Sequence, residues 1–257
     1  LIDTAQGRIV SDEELKSTLA AEHPYQQWID DNLIKIEDLP QVSHITESHS
    51  DTLREQQTFG YTHEELRILM DPMARSGYEA LGSMGTDTPL AVLSNRPRLL
   101  FDYFAQLFAQ VTNPPLDAIR EELVTSLAST VGPEANLLSA GPESCGQIVI
   151  GYPILDSDEL AKLVRINRDG SMPHYEPHIV RGLYRVLGGA DELRRRLEEI
   201  CTEVSEALAG GCRTIILSDR HSNIDEAPIP SLLLTAAVPA SLVPMKFPRT
   251  TRPVTSF

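Results

Sequence analysis

Basic residues are scarce in this chain. Its 257 residues include 22 Lys and Arg against 37 Asp and Glu, which gives a formal net charge of −15 at pH 7. Nucleic acid and anionic membrane surfaces would be repelled by this balance, so we expect neither as a partner. Long apolar runs are also missing, since no stretch approaches the roughly 18 residues that a membrane-spanning helix needs.

Cysteine is scarce as well. Cys145, Cys201 and Cys212 are an odd number at wide spacing, and no CxxC pair is present. This pattern argues against a disulfide framework and a zinc site, and favours reduced thiols in the cytoplasm. The chain opens at Leu1 without an initiator Met, so we expect it to be a piece of a longer protein.

A strand, a long helix and a second strand follow one another in the C-terminal half. Residues Ile179–Val186 are predicted to form a strand, and Thr214–Leu217 a second, buried one. Between them lies an amphipathic helix ending at Gly210, with one apolar face formed by Leu193, Leu197, Ile200, Val204 and Leu208. These are the parts of a right-handed crossover unit, so we predict an α/β fold with a mostly parallel sheet and flanking helices.

Local signals predict further elements. Ser11 and Thr62 each begin a capping-box pattern for a helix, residues Asp156–Glu159 open another short helix, and Ser231–Val238 are predicted to form a further one. Residues 20–50 are predicted to be an irregular linker held down by Tyr25, Trp28 and Ile29. Residues 239–257 are rich in proline and basic side chains, and we predict an extended or disordered tail.

The stretch Gly82–Pro115 has the most specific sequence pattern in the chain. It begins with a loop of small polar residues, continues through the apolar run Leu90–Leu93, and then gives an aromatic-faced helix that a double proline ends. The loop could cradle a phosphate, but it has neither a P-loop Lys nor the third glycine of a dinucleotide motif. From the residues alone, a structural or interface loop is the preferred interpretation.

Two other clusters leave alternatives open. Asp219, Arg220 and His221 follow a buried strand, where open α/β sheets place their sites, but a capped strand end with an ion pair is equally compatible. His174 and His178 are four residues apart, yet Pro173 and Pro177 predict a loop and no metal site. We therefore expect no catalytic, cofactor-binding or metal-binding residue in this chain.

Several segments together resemble a known family. They are GSMGTDTPLAVLS from Gly82, RPRLLFDYFAQLFAQVTNPPLDAIREELV from Arg96, GPEANLL from Gly132, IILSDR from Ile215, and APIPSLL from Ala227. These segments resemble the central domain of the glutamate synthase large subunit. The opening text from Ile2 to Leu15 is similar to the end of that enzyme's glutamine amidotransferase domain.

The resemblance implies an amidotransferase domain that releases ammonia from glutamine, and an FMN and iron–sulfur synthase domain that uses it with 2-oxoglutarate. These domains would be partners in the same chain, and a small reductase subunit or ferredoxin a further one. The piece itself would hold no cofactor. We expect its role to be the enclosure of the ammonia passage or a domain interface, formed by Ser83, Met84, Gly85, Thr86, Asp87 and Thr88.

The resemblance also implies domain limits. Residues 1–45 would be the end of an α+β amidotransferase domain with its linker, residues 46–238 the central domain, and residues 239–257 a divergent tail. After Val238 the sequence departs from the run of histidines with which family members continue. A stand-alone α/β module that binds an anion or another ligand is the alternative.

Overall fold

The computed structural model describes residues 1–44, 46, 48–77, 80, 91–95, 98–104, 126–132, 138–139, 141–242 and 253–256. The strands among these residues are β1 (Ile2–Asp3), β2 (Arg8–Ile9), β3 (Ile34–Lys35), β4 (Ser129–Val131), β5 (Ile148–Ile150), β6 (Pro177–Arg181), β7 (Leu183–Arg185), β8 (Thr214–Ser218), β9 (Glu226–Pro228) and β10 (Pro253–Ser256). The helices are α1 (Asp12–Ala21), α2 (Tyr25–Asn32), α3 (His49–Thr58), α4 (His63–Glu65), α5 (Asp71–Ser76), α6 (Ser157–Val164), α7 (Gly189–Ala209) and α8 (Ser231–Leu242). A π-helical turn, Leu66–Met70, joins α4 to α5.

The predicted crossover unit is present. Strands β6 and β8 pair in parallel with Arg181 opposite Ser218, and α7 connects them. Helix α7 buries Ile200, Val204 and Leu208, which pack with α8 and with both strands in the larger hydrophobic core. Burial of this apolar face is the main stabilising contribution to the unit, because each fully buried aliphatic side chain contributes about 1.5–3 kcal/mol.

The predicted strand Ile179–Val186 is in fact two strands. It breaks at Gly182, so β6 pairs in parallel with β8 while β7 pairs antiparallel with β9. The Gly182 N–H donates to the Ser218 carbonyl at 2.7 Å, and the Gly182 carbonyl accepts from the Ile229 N–H at 2.8 Å. This one glycine therefore joins two sheets, which no local pattern indicated.

Strand β10 is the third strand of the parallel sheet. It lies on the other side of β8 from β6 and pairs with β8 in parallel. Helix α8 continues past Val238 to Leu242 and contains Pro239. The segment from Pro239 thus begins as helix, and its residues 253–256 are extended but paired.

A second core surrounds a smaller mixed sheet. Strand β5 pairs in parallel with β3 and antiparallel with β4. The buried residues of this second core are Ile36, Leu39, Val131, Ile148, Ile150 and Leu163. The α/β class is therefore confirmed, but the described strands form several small parallel, mixed and antiparallel sheets, not one mostly parallel sheet.

The predicted irregular linker is wrong for residues 25–39, which form α2, β3 and a 3₁₀ turn (Ile36–Asp38). Ile34 donates its N–H to the Gln147 carbonyl at 3.0 Å. Since the pairing partner lies more than a hundred residues along the chain, the pattern of residues 20–50 alone could not reveal the strand.

One of the two predicted capping boxes is complete, and the helix predicted from Asp156 also begins with a capping box. Thr62 with Glu65 and Asp156 with Glu159 form complete capping boxes at α4 and α6. At α1 the Ser11 side chain accepts from the Glu14 N–H, but the Glu14 carboxylate binds Arg8 at 2.7 Å.

No described helix is long and apolar enough to cross a membrane.

A Cβ at position 182 would have no room, which gives a test of the junction. It would lie 2.5 Å from Leu234 Cδ2, a side chain that is only 3% exposed, and 3.3 Å from the Ser218 carbonyl oxygen. We predict that Gly182→Ala lowers the free energy of unfolding by about 1–3 kcal/mol, as overpacking does. Urea denaturation measures the change.

The matched control is Gly151→Ala, because a Cβ there meets nothing within 4 Å. We expect this variant to change stability by less than about 0.5 kcal/mol. Equal effects of the two substitutions would contradict the close approach at Gly182.

Candidate functional site at the carboxyl edge of the parallel sheet

The site residues predicted from the sequence, Ser83 to Thr88, lie outside the described residues. The chain is described again just beyond them, at residues 91–95, where the Ser94 N–H donates to the Ala91 carbonyl in a turn. Val92 is 91% exposed and Leu93 96% exposed. These two side chains of the apolar run are therefore uncovered within this chain.

The carboxyl ends of β6 and β8 bring a second group of predicted residues together. Parallel strands end at the same edge of a sheet, where open α/β folds bind their ligands. Asp219, Arg220, His221 and Ser222 follow β8 directly at this edge. The Arg220 N–H donates to Ser218 Oγ at 3.4 Å, a long bond that holds the chain as it leaves the strand.

Asp219 is a buried acid, only 5% exposed. Burial raises the pKa of the Asp219 carboxyl, because removal from water disfavours the charged form. The hydrogen bond from its own backbone N–H and the charge of Arg220 oppose the rise, while the negative charge of Glu55 on α3 adds to it. This carboxyl is therefore suited to holding a proton at a higher pH than an exposed aspartate does.

His221 has an uncommon backbone conformation for a residue with a side chain. Its φ is 67°, in the left-handed region, and it is the one non-glycine residue with positive φ among those described. Such conformations cost on the order of 1–3 kcal/mol and cluster at functional sites. The imidazole is exposed while the neighbouring Ser222 is buried, so the turn places the His221 side chain at the protein surface.

A polar turn before β9 also lies at this edge of the sheet. Asn223 Oδ1 accepts from the N–H groups of Asp225 and Glu226 at 2.9 and 3.1 Å. Glu226 in turn accepts from Arg181 Nη2 at 3.1 Å, which ties β9 to the end of β6. The edge is thus a rigid, hydrogen-bonded surface that combines a buried acid, an exposed histidine and arginine.

The described residues do not fit the iron–sulfur cluster that the resemblance implies for the larger enzyme. Such a cluster requires cysteine thiolates as ligands. Cys145, Cys201 and Cys212 are free thiols in three different segments. No group of three or more His, Cys, Asp and Glu within the described part of the chain could hold a metal ion.

The two histidines of the HYEPH segment are separated by a change of secondary structure. His174 lies in the 3₁₀ turn Pro173–Tyr175, while His178 lies in β6. His178 Nε2 is 3.1 Å from Glu203 Oε1 on α7. This histidine therefore connects the strand to the crossover helix, which differs from the predicted loop.

Comparisons with known proteins identify the family. The model of the glutamate synthase central domain family matches residues 54–254. The chain belongs to this family.

Three relatives illustrate the range of the family. The NADPH glutamate synthase large chain of Bacillus subtilis is 40% identical over 95% of this chain. The NADH glutamate synthase of Schizosaccharomyces pombe is 38% identical over 96% of it, and the chloroplastic ferredoxin-dependent enzyme of Spinacia oleracea 34% over 94%. This chain covers only 15%, 12% and 15% of those proteins, respectively.

Sequence reasoning missed some residues of this edge in the central-domain fold. Glu55 is far from Asp219 along the chain, and only the tertiary structure brings its charge to bear on that carboxyl. The burial of Ser222 had no local signal either.

Asp219 gives a prediction on pH. Because its pKa is raised in the folded state, its stabilising contribution is full below the unfolded aspartate value of about 3.9 and is lost as pH rises through the folded value. Asp219→Asn removes this titration. We predict that the stability of the variant relative to the parent protein increases as pH is raised from about 4 to about 7.

Urea unfolding across this pH range makes the measurement. Asp225→Asn is the control, since it makes the same charge change at an exposed position of the same turn. A stability difference between D219N and the parent protein that does not vary with pH would contradict the raised pKa.

Proposed function

We propose that this chain is the segment of a glutamate synthase that joins the amidotransferase domain to the FMN and iron–sulfur synthase domain and helps enclose the ammonia passage. The complete enzyme would convert glutamine, 2-oxoglutarate and a reductant into two glutamates. The segment would not be catalytic alone. Family membership over residues 54–254 carries this proposal. The proposed domain limits, residues 1–45, 46–238 and 239–257, belong to the same proposal.

Uncovered apolar side chains support a position between other domains. Val92 and Leu93 are almost fully exposed, and Leu69, Met70 and Met73 are each more than a third exposed on the helical segment that precedes the Gly82 loop. Grouped apolar side chains on a surface are typical of contact sites. Both segments flank the small-residue loop in the sequence.

The chemistry of ammonia supports a passage lined by Ser83 to Thr88. Ammonia must be kept from water, because protonation in solution removes the nucleophile. Small side chains leave space for it, and backbone and hydroxyl groups can contact an uncharged molecule without trapping it. The composition of residues 82–88, two glycines with one serine and two threonines, fits those needs.

The electron donor is a separate matter. Relatives named for NADPH, NADH and ferredoxin match this chain with 40%, 38% and 34% identity. The segment is thus similar among enzymes with different donors, and we infer that a small reductase subunit or ferredoxin binds elsewhere on the complete enzyme.

A cytoplasmic location is part of the same proposal, supported by three cysteines that form no disulfide.

The loop can be tested by one substitution in the complete enzyme. We predict that Gly85→Leu uncouples the two half-reactions, because a bulky side chain would obstruct ammonia on its way to the synthase site. Glutamine hydrolysis should continue while glutamate formation from 2-oxoglutarate falls at least about tenfold, equivalent to roughly 1.4 kcal/mol in the barrier. Parallel assays of the two activities measure the ratio.

Gly151→Leu serves as the control, since its position has open space around the Cβ. It should leave the ratio of the two activities unchanged. An unchanged ratio in the Gly85 variant would count against a role of this loop in the passage.

A further inference from the structure

A cationic cleft lies beside the second core, away from the carboxyl edge of β8. It has a volume of about 400 Å³ and is formed by the segment after the 3₁₀ turn Ile36–Asp38 on one side and by the end of α6 with the following loop on the other. Cavities that bind small molecules begin at about 300 Å³. Its size is therefore sufficient for a small metabolite.

Three cationic side chains line this cleft against one acid. They are Lys162, Arg165 and Arg168, and the acid is Asp169. The Asp169 carboxylate accepts from the N–H and the hydroxyl of Ser171 at 3.0 and 2.6 Å, so it is engaged within its own turn. In a chain of net charge −15, this local excess of positive charge requires an explanation.

Lys162 is the most unusual member, since only 7% of it is exposed. Its Nζ donates to the Ile36 carbonyl at 3.1 Å, and an ammonium carries three N–H donors. The nearby Asp158 contributes a negative charge, but its carboxylate is bound by His44 Nδ1 at 2.6 Å. A buried ammonium with one described acceptor has donor capacity for an anion in the cleft.

The two arginines add exposed donors to this buried charge. Arg165 uses one N–H on the Ser43 carbonyl at 3.2 Å, which leaves the rest of its guanidinium open. The Arg168 side chain has no hydrogen-bond or ion-pair partner within the described residues. Apolar atoms of Leu39 and Met172 line the same cleft and can contact a short carbon skeleton.

We propose that this cleft binds a small dicarboxylate, with its two charged ends on the cationic side chains and its carbon chain against Leu39 and Met172. Separate cationic groups with apolar surface beside them suit a flexible dianion better than a compact one such as inorganic phosphate. The site lies apart from the Gly82 loop in sequence, and it does not depend on the proposed ammonia passage.

The test is isothermal titration of the parent protein and three variants with glutarate, a five-carbon dicarboxylate. We expect Arg168→Gln to weaken glutarate binding at this cleft at least about tenfold. Because the Arg168 side chain is exposed and its described neighbours do not pair with it, the variant should fold like the parent protein. Circular dichroism verifies the fold.

Arg213→Gln is the matched control, since it makes the same charge change at an exposed position before β8. It should bind glutarate as the parent protein does. Lys162→Met should abolish glutarate binding. If Lys162→Met does not fold, Arg168→Gln still tests the proposal, because its substitution is at an exposed position. Equal binding by Arg168→Gln and the parent protein, no binding at all, or equally tight binding of inorganic phosphate would each overturn the proposal.

Discussion

The parallel pairing of β6 with β8 is the interaction on which the larger half of the structure depends. Five residue pairs, from Pro177 with Thr214 to Arg181 with Ser218, fix the register. Because side chains alternate between the two faces of a strand, a shift by one residue would turn the buried Val180 to the other face. The same register places Asp219, the residue after β8, next to Gly182, the residue after β6. The buried Asp219 carboxyl therefore lies where the sheet of β6 and β8 meets that of β7 and β9.

Two cores explain why this chain can carry two separate surfaces. The larger core supports an edge with a buried acid and an exposed histidine in a left-handed conformation. The smaller core supports the cationic cleft around Lys162.

Regular periodicity was readable from the sequence, and long-range pairing was not. Helix α7 was predictable because five apolar residues recur at spacings of three and four, and the complete capping boxes at Thr62 and Asp156 follow from side chains only three residues apart. Strand β3 and the break at Gly182 depend on partners that are distant along the chain, so no window of local sequence contains them. The same reason hid Glu55 from the environment of Asp219, whereas the position of Asp219 after a buried strand was visible.

The most direct measurement follows the nitrogen atom through the complete enzyme. Glutamine labelled with ¹⁵N in its amide is supplied with ¹³C-labelled 2-oxoglutarate and a large excess of unlabelled ammonium, and mass spectrometry reads the ¹⁵N content of the ¹³C-labelled glutamate, which forms only from 2-oxoglutarate. An enclosed passage predicts that this glutamate carries the ¹⁵N of glutamine at full enrichment, whatever the concentration of external ammonium. Dilution of the label toward the composition of the external pool would contradict the account.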